Sequence, residues 1–127
     1  MPLVVVNRNP EVLTDNMAKE LGPLLQRIVA TALHVEGNKK GHLKPKDIEV
    51  RFQNIGPLDV NSSDLAIEIF ANDVKGRRKD IQTRTVSIWG TLREYAIRRP
   101  GEYMPEHVVG HDNFVWILLA PAGFKKL

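Results

Sequence analysis

The residue with the clearest capacity for acid–base chemistry is Pro2, which opens an aliphatic run that reads MPLVVV. Removal of the initiator methionine would leave Pro2 as the N-terminus with a free secondary amine, which can serve as a general base. An ordinary α-amino group has a pKa of about 8, and desolvation beside apolar residues lowers that pKa towards neutrality because it disfavours the charged form. The alternative is that Met-Pro reflects only the start codon and that Pro2 begins an edge strand.

Other catalytic and metal-binding patterns are weaker. His107 and His111 are four residues apart with Asp112 adjacent, but they lie in a stretch with Gly and Pro, so this spacing does not place them on one helix face. His34 ends a helical pattern, where a cation is favoured by the helix dipole. The sequence has no Cys, no Gly-rich phosphate loop and no nucleophile elbow. We therefore expect neither a metal nor a cofactor.

Composition indicates an ordinary globular protein. The 127 residues are enough for one domain, which we predict to span residues 1–127, and the hydrophobic and charged fractions are 43% and 26%. The net charge of +3 is too small to indicate nucleic acid by itself and suits a small anionic ligand equally well. No apolar run approaches the ~20 residues of a membrane span and no secretory signal precedes the first strand, so a cytoplasmic protein without membrane contact is expected.

The hydrophobic pattern predicts four strands and two helices. A fully apolar strand begins at the second residue, and an amphipathic helix of about 20 residues follows from Thr14 or Asp15, with a kink at Pro23. The predicted strands after it cover residues 48–53, 65–70 and 114–119. A second helix runs between the last two strands and ends before Pro100-Gly101.

These elements read as two β-α-β repeats, over residues 2–55 and 64–120. Two such units predict an α+β fold in which a four-stranded mixed sheet carries both helices on one face. The other face of the sheet would be left uncovered and is expected to cause oligomerisation. The same element order also fits the ferredoxin-like plait, which often binds nucleic acids or metabolites.

Three short motifs in this order resemble the tautomerase superfamily. Met1-Pro2 opens a strand, Gly76-Arg77 stands between a strand and a helix, and residues 50–54 (VRFQN) form the second strand. In proteins similar to 4-oxalocrotonate tautomerase, 5-carboxymethyl-2-hydroxymuconate isomerase and macrophage migration inhibitory factor, the N-terminal proline is catalytic. The last strand, with Trp116, is similar to the aromatic-bearing strand that lines the pocket in longer members.

The resemblance implies a cofactor-free enzyme that acts on a small 2-oxo or 2-hydroxy carboxylic acid and assembles as a homotrimer. Pro2 would be the catalytic acid–base. Arg77 would bind the substrate carboxylate from a surface turn, where its replacement should hardly change stability, and Phe52 and Trp116 would form a dry wall around Pro2. The substrate-binding residues implied by the resemblance are Arg77, Lys75, Arg51, Phe52 and Trp116.

Two other functions stay open on the sequence alone. Arg78 follows Gly-Arg where the family often has Ser, Glu49 stands where some members have a second arginine, and Leu118 stands where several have a polar residue. Glu49 and Leu118, together with a retained Met1 that would make the Pro2 nitrogen an amide, favour a non-catalytic oligomeric binding or scaffold protein of the same fold. A ferredoxin-like RNA binder would need aromatic and basic residues interleaved on the sheet, and only Phe52 beside Arg51 offers this.

Overall fold

Largely apolar runs form the central strands and apolar residues recur at helical spacing between them, and the structure follows this pattern. A computed structural model describes residues 2–37, 41–60, 64–72, 76–105 and 114–120, with the side chain of Ile117 alone in the last range. The strands are β1 (Leu3–Arg8), β2 (Glu49–Asn54), β3 (Leu65–Asn72) and β4 (Phe114–Ala120), and the helices are α1 (Asp15–Leu33) and α2 (Ile81–Arg98). Short 3₁₀ helices at Pro45–Asp47 and Arg78–Asp80 precede β2 and α2.

Helix α1 begins where the sequence indicated. The Thr14 hydroxyl caps it by accepting a hydrogen bond from the Met17 amide at 3.4 Å, which satisfies one of the free amides of the first turn. The helix continues through Pro23 and ends at Leu33, and the next residue, His34, has an extended backbone. Its apolar face is buried against the sheet through Ala18, Leu21, Leu24, Leu25, Ile28, Val29, Ala30 and Leu33.

The four strands form one mixed sheet in the order β2-β1-β3-β4. The β1–β2 and β3–β4 pairs are parallel, whereas β1 and β3 run antiparallel in the centre. Two β-α-β units joined side by side would produce this pairing. The α+β class, the mixed sheet and the two helices agree with the sequence-based prediction.

The register divides β1 into two faces. Val4 and Val6 are fully buried and pair with Ile69 and Ile67, which are also fully buried, so this face supports the helices. Helix α2 adds Ile88, Leu92 and Ala96 to the same core. Val86 is 62% exposed because it lies on the outer side of this helix.

The opposite face of the sheet is partly apolar and partly polar. Leu3 pairs with Phe70 near the start of β1, and Phe70 is 37% exposed. Further along β1, the Asn7 amide donates a hydrogen bond to the Glu68 carboxylate at 2.8 Å. Neither helix in the described part of the chain is long and apolar enough to cross a bilayer.

Candidate active site

Pro2 lies at the end of the sheet where strands β1 and β2 begin and strand β3 ends. The Pro2 carbonyl accepts a hydrogen bond from the Glu49 amide at 3.0 Å, which continues the parallel pairing of β1 and β2 towards the N-terminus. The register on the other side, Leu3 opposite Phe70, places the last residues of β3 beside Pro2. Pro2 itself is buried. Ile48, which directly precedes β2, and Ala71, near the end of β3, are also buried. The proline predicted to be catalytic therefore lies among apolar residues.

Arg77 is buried, with only 1% of the residue exposed. Its Nε donates to the Leu33 carbonyl at 2.8 Å and its Nη1 donates to the Asn72 carbonyl at 3.0 Å, so the guanidinium joins the end of α1 to the end of β3. Its Nη2 is buried without a hydrogen-bond partner among the described residues. Burial, and then the charge of Arg84, lower the pKa of the Arg77 guanidinium below its usual value.

This placement corrects one expectation. The sequence suggested that Arg77 lies on a surface turn and carries little stability, because Gly-Arg between a strand and a helix is typical of an exposed connection. The structure buries the side chain, since the α1 carboxyl end has carbonyl groups without helical partners that a guanidinium can satisfy.

Arg84, on the first turn of α2, completes this arrangement and was missed by the sequence analysis. Its Nη1 donates to the Ala32 carbonyl at 2.7 Å and to the His34 carbonyl at 2.9 Å, while its Nε donates to Asp80 at 2.7 Å. Two arginines thus cap three successive carbonyls at the end of α1. The only sequence signal was the Asp80–Arg84 spacing of an i,i+4 pair, and nothing in it pointed to α1.

Gly76 has two structural reasons to be glycine. Its φ is +101°, a conformation that residues with a side chain rarely adopt. A Cβ at this position would also lie 3.2 Å from Cγ1 of Val35. The Gly76-Arg77 pair therefore makes the turn and places the guanidinium under the end of α1.

The other predicted residues are not gathered around Pro2 within one chain. Arg51 pairs in register with Val5, is exposed, and its Nη2 lies 3.2 Å from the Glu49 carboxylate. Phe52 pairs with Val6, which is about 13 Å along the sheet from Pro2 at ~3.3 Å per residue.

Phe52 packs on the helix side of the sheet, where its ring lies 3.7 Å from the position of a Cβ on Gly22. It is a partly buried residue against the main core. Lys75 lies outside the described residues. Trp116 is in β4, where its backbone pairs with that of Glu68 in β3. The side chain of Trp116 lies outside the described part of the structure. His107, His111 and Asp112 also lie outside it.

Two cavities are lined in part by residues of α1. One, of about 430 Å³, is lined by Arg27, Ala30, Thr31, His34, Leu43 and Pro45. The other, of about 300 Å³, lies between α1 and α2 and includes Arg27, Thr31, Ser87, Thr91 and Tyr95. Neither of these two linings contains Pro2 or Arg77, so neither cavity belongs to the candidate acid–base site.

Comparison with solved structures finds several proteins with a similar fold. The chain is similar over 98% of its length to native Ps01740, with a TM-score of 0.58, 16% identity and 99% of that chain covered. It is similar to a fused 4-OT asymmetric trimer (TM-score 0.60, 11% identity, 98% of this chain and 91% of that chain). It is also similar to malonate semialdehyde decarboxylase (TM-score 0.58, 11% identity, 97% and 88% covered).

At these identities the likeness shows the fold, and the chain has the fold of the tautomerase superfamily. The predicted resemblance is confirmed at that level. No family model matches the sequence, and no curated protein matches it.

Proposed function

We propose that this protein is a cofactor-independent, tautomerase-like enzyme that uses Pro2 as general acid–base on a small 2-oxo or 2-hydroxy carboxylic acid. The observation that carries the proposal is the burial of Pro2 at a sheet edge, in a fold whose solved neighbours include tautomerase-superfamily enzymes. The amine of Pro2 would take the proton from the enol oxygen of the substrate and return a proton to the adjacent carbon. Burial favours the neutral amine that this step requires.

The carboxylate of the substrate needs a cation near this edge. Arg77 has two nitrogens engaged by backbone carbonyls, and its third is buried. Arg51 has a side chain that is 57% exposed, and it lies on β2, which the assembly proposed below would bring near the Pro2 of another subunit. We therefore assign carboxylate binding to Arg51, together with Lys75. Arg77 instead holds the end of α1 against the end of β3 next to the site. Phe52 and Trp116 would form the apolar wall of the site by reaching the Pro2 of another subunit in the assembly.

The open sheet face supports assembly as a homotrimer. Phe70 and Leu3 form its apolar part, with Val5 on the same face, and Phe70 would contact water in a monomer. Several of the solved neighbours are fused trimers. Packing of such faces around a common axis would cover these residues and would place strand β2 of one subunit near the site of the next.

The test of the proposal begins with the intact mass of protein from its native source. Loss of Met1 leaves Pro2 as a free amine, whereas retention makes its nitrogen an amide with no lone pair for proton transfer. The second step is enol–keto conversion of phenylpyruvate, for which Pro2→Ala should reduce the rate by about 10²-fold or more, the usual contribution of a positioned base. A retained Met1, or an unchanged rate in Pro2→Ala, would falsify the mechanism.

The alternative is a non-catalytic oligomeric binding or scaffold protein that keeps this fold. The observation in its favour is the burial of Arg77, because an arginine used as a helix cap is not available to a substrate. The salt bridge of Arg51 with Glu49 also reduces the charge that a carboxylate would meet. Trimer formation with no turnover of any 2-oxo acid would support this alternative.

A further inference from the structure

His34, Glu36 and His42 form a cluster of potential metal ligands at the end of α1. Nε2 of His34 lies 2.9 Å from Oε1 of Glu36, and Nε2 of His42 lies 3.8 Å from Oε2 of the same carboxylate. The two imidazole rings are stacked, with centroids 4.9 Å apart and an angle of 23° between their planes. One ligand atom from each residue can be chosen so that all three lie within 4.8 Å of one another.

We propose that these three residues bind a divalent transition-metal ion, with Zn²⁺ as the ion of choice. Zinc binds His nitrogen and carboxylate oxygen at about 2.0–2.2 Å, so two ligands of one tetrahedral zinc lie about 3.3 Å apart. The observed separations of 2.9 Å and 3.8 Å run from the two imidazoles to the two different oxygens of Glu36, so the carboxylate lies between both rings and small side-chain rotations would bring one ligand atom from each residue to this spacing. Two imidazoles and one carboxylate form a donor set suited to zinc, and the partial exposure of the side chains leaves a fourth position for water.

The residues next to the two histidines, Val35 and Gly41, are already held together by a backbone hydrogen bond. The Val35 amide donates to the Gly41 carbonyl at 2.8 Å, and Gly41 approaches Val35 so closely that a Cβ on Gly41 would lie 2.6 Å from Cβ of Val35. The carbonyl of His34 is held by Arg84 at 2.9 Å. Little backbone entropy therefore has to be lost when a metal joins His34 to His42.

The hydrogen bonds of His34 identify a specific consequence of metal binding. Its Nδ1 accepts a hydrogen bond from the Leu43 amide at 3.1 Å, so in the neutral ring the proton is on Nε2, facing Glu36. A metal takes the lone pair of Nε2, and the ring proton must then be on Nδ1. The number of protons on the ring is unchanged, but the Leu43 amide loses its acceptor. Metal binding should therefore alter the Leu43 amide directly.

The inference is independent of the proposed function, because the cluster contains neither Pro2 nor any proposed substrate-binding residue. The test uses the full chain, without an affinity tag and after treatment with a chelator, titrated with zinc chloride by calorimetry. The variants are His42→Ala and Glu36→Gln, whose side chains are 51% and 85% exposed in the parent, so that both should fold. The matched control is the double variant His107→Ala/His111→Ala, which removes the other two histidines.

The expected result is one bound zinc per chain. Each of His42→Ala and Glu36→Gln should weaken binding by about tenfold or more, and the control should bind as the parent does. In amide NMR spectra, zinc should shift the Leu43 resonance and speed its hydrogen exchange. The proposal is overturned by an absence of saturable binding, by unchanged affinity in His42→Ala, by loss of binding in the control, or by a Leu43 amide that does not respond to bound zinc.

Discussion

Nε of Arg77 lies 2.8 Å from the carbonyl oxygen of Leu33, the last residue of α1. Through this bond and the one to Asn72, a single buried guanidinium holds together the end of a helix and the end of the neighbouring strand. Both elements end at the sheet edge where Pro2 lies. The geometry of the candidate site therefore depends on a residue that need not touch a substrate.

The first prediction concerns Arg77. Arg77→Met should lower the free energy of unfolding by about 2–4 kcal/mol, because it removes the guanidinium donor from the buried Leu33 carbonyl and from the part-buried Asn72 carbonyl. Denaturant unfolding monitored by circular dichroism measures this. Arg93→Met, at an exposed position of α2, is the matched control and should change stability by less than about 0.5 kcal/mol. Equal stability of the Arg77 variant and the parent would contradict the capping role.

The second prediction uses two glycines with opposite expectations. Gly76→Ala should destabilise the protein by about 1–3 kcal/mol, because φ is +101° and Val35 lies close to the new Cβ. Gly90→Ala should stabilise it by about 0.5–1 kcal/mol, because Gly90 lies inside α2 and its new Cβ would meet no described side chain within 4 Å. Thermal unfolding of both variants provides the comparison, and the same sign for both would refute this account.

The third prediction tests assembly through the open sheet face. Phe70→Lys should convert the proposed trimer into monomers, because a charge at a covered apolar position is costly to desolvate. Val86→Lys, on the outer side of α2 where the parent residue is 62% exposed, should leave the trimer intact. Sedimentation velocity at micromolar concentration distinguishes these states. A monomeric parent protein would remove the basis of the prediction.

The fourth prediction separates carboxylate binding from support of the fold. Arg51→Gln should raise the KM for phenylpyruvate, since it removes an exposed cation on β2, and should leave stability nearly unchanged because exposed ion pairs contribute about 0–1 kcal/mol. Arg27→Gln, which removes an exposed arginine of α1 away from β2 and Pro2, is the matched control. An unchanged KM in Arg51→Gln would assign carboxylate binding to another residue.

The fifth prediction concerns the pH dependence of catalysis. If Pro2 is the base, kcat/KM should fall on the acidic side as the amine becomes protonated, since the protonated amine has no lone pair to accept a proton. Burial favours the neutral amine, so this limb should lie below the pH at which a solvent-exposed prolyl amine titrates. The pH–rate profile of the parent measures it. A profile without an acidic limb would exclude Pro2 as the titrating base.

The helices, the strands and their order along the chain can be predicted from the amino-acid sequence alone. The apolar runs of β1 and β3 and the helical spacing in α1 are local signals, and Thr14 marks the start of α1 as predicted. These signals depend only on the period of burial and on backbone chemistry within a few residues. The same local pattern pointed to Pro2, whose place at the start of a buried strand follows directly from its position in the chain.

The role of Arg77 and Arg84 as caps of α1 depends on tertiary packing and could not be predicted from the sequence. Arg77 and Arg84 bond to carbonyls that are 44 to 52 residues away in the sequence, and no periodicity within either segment contains that information. The position of Phe52 against α1 also could not be predicted from the sequence. The alternation of β2 indicated a strand but did not show which of its faces meets α1. A guanidinium beside a turn binds a ligand if it is exposed and caps a helix if a helix ends above it, because its five donors need acceptors in either place.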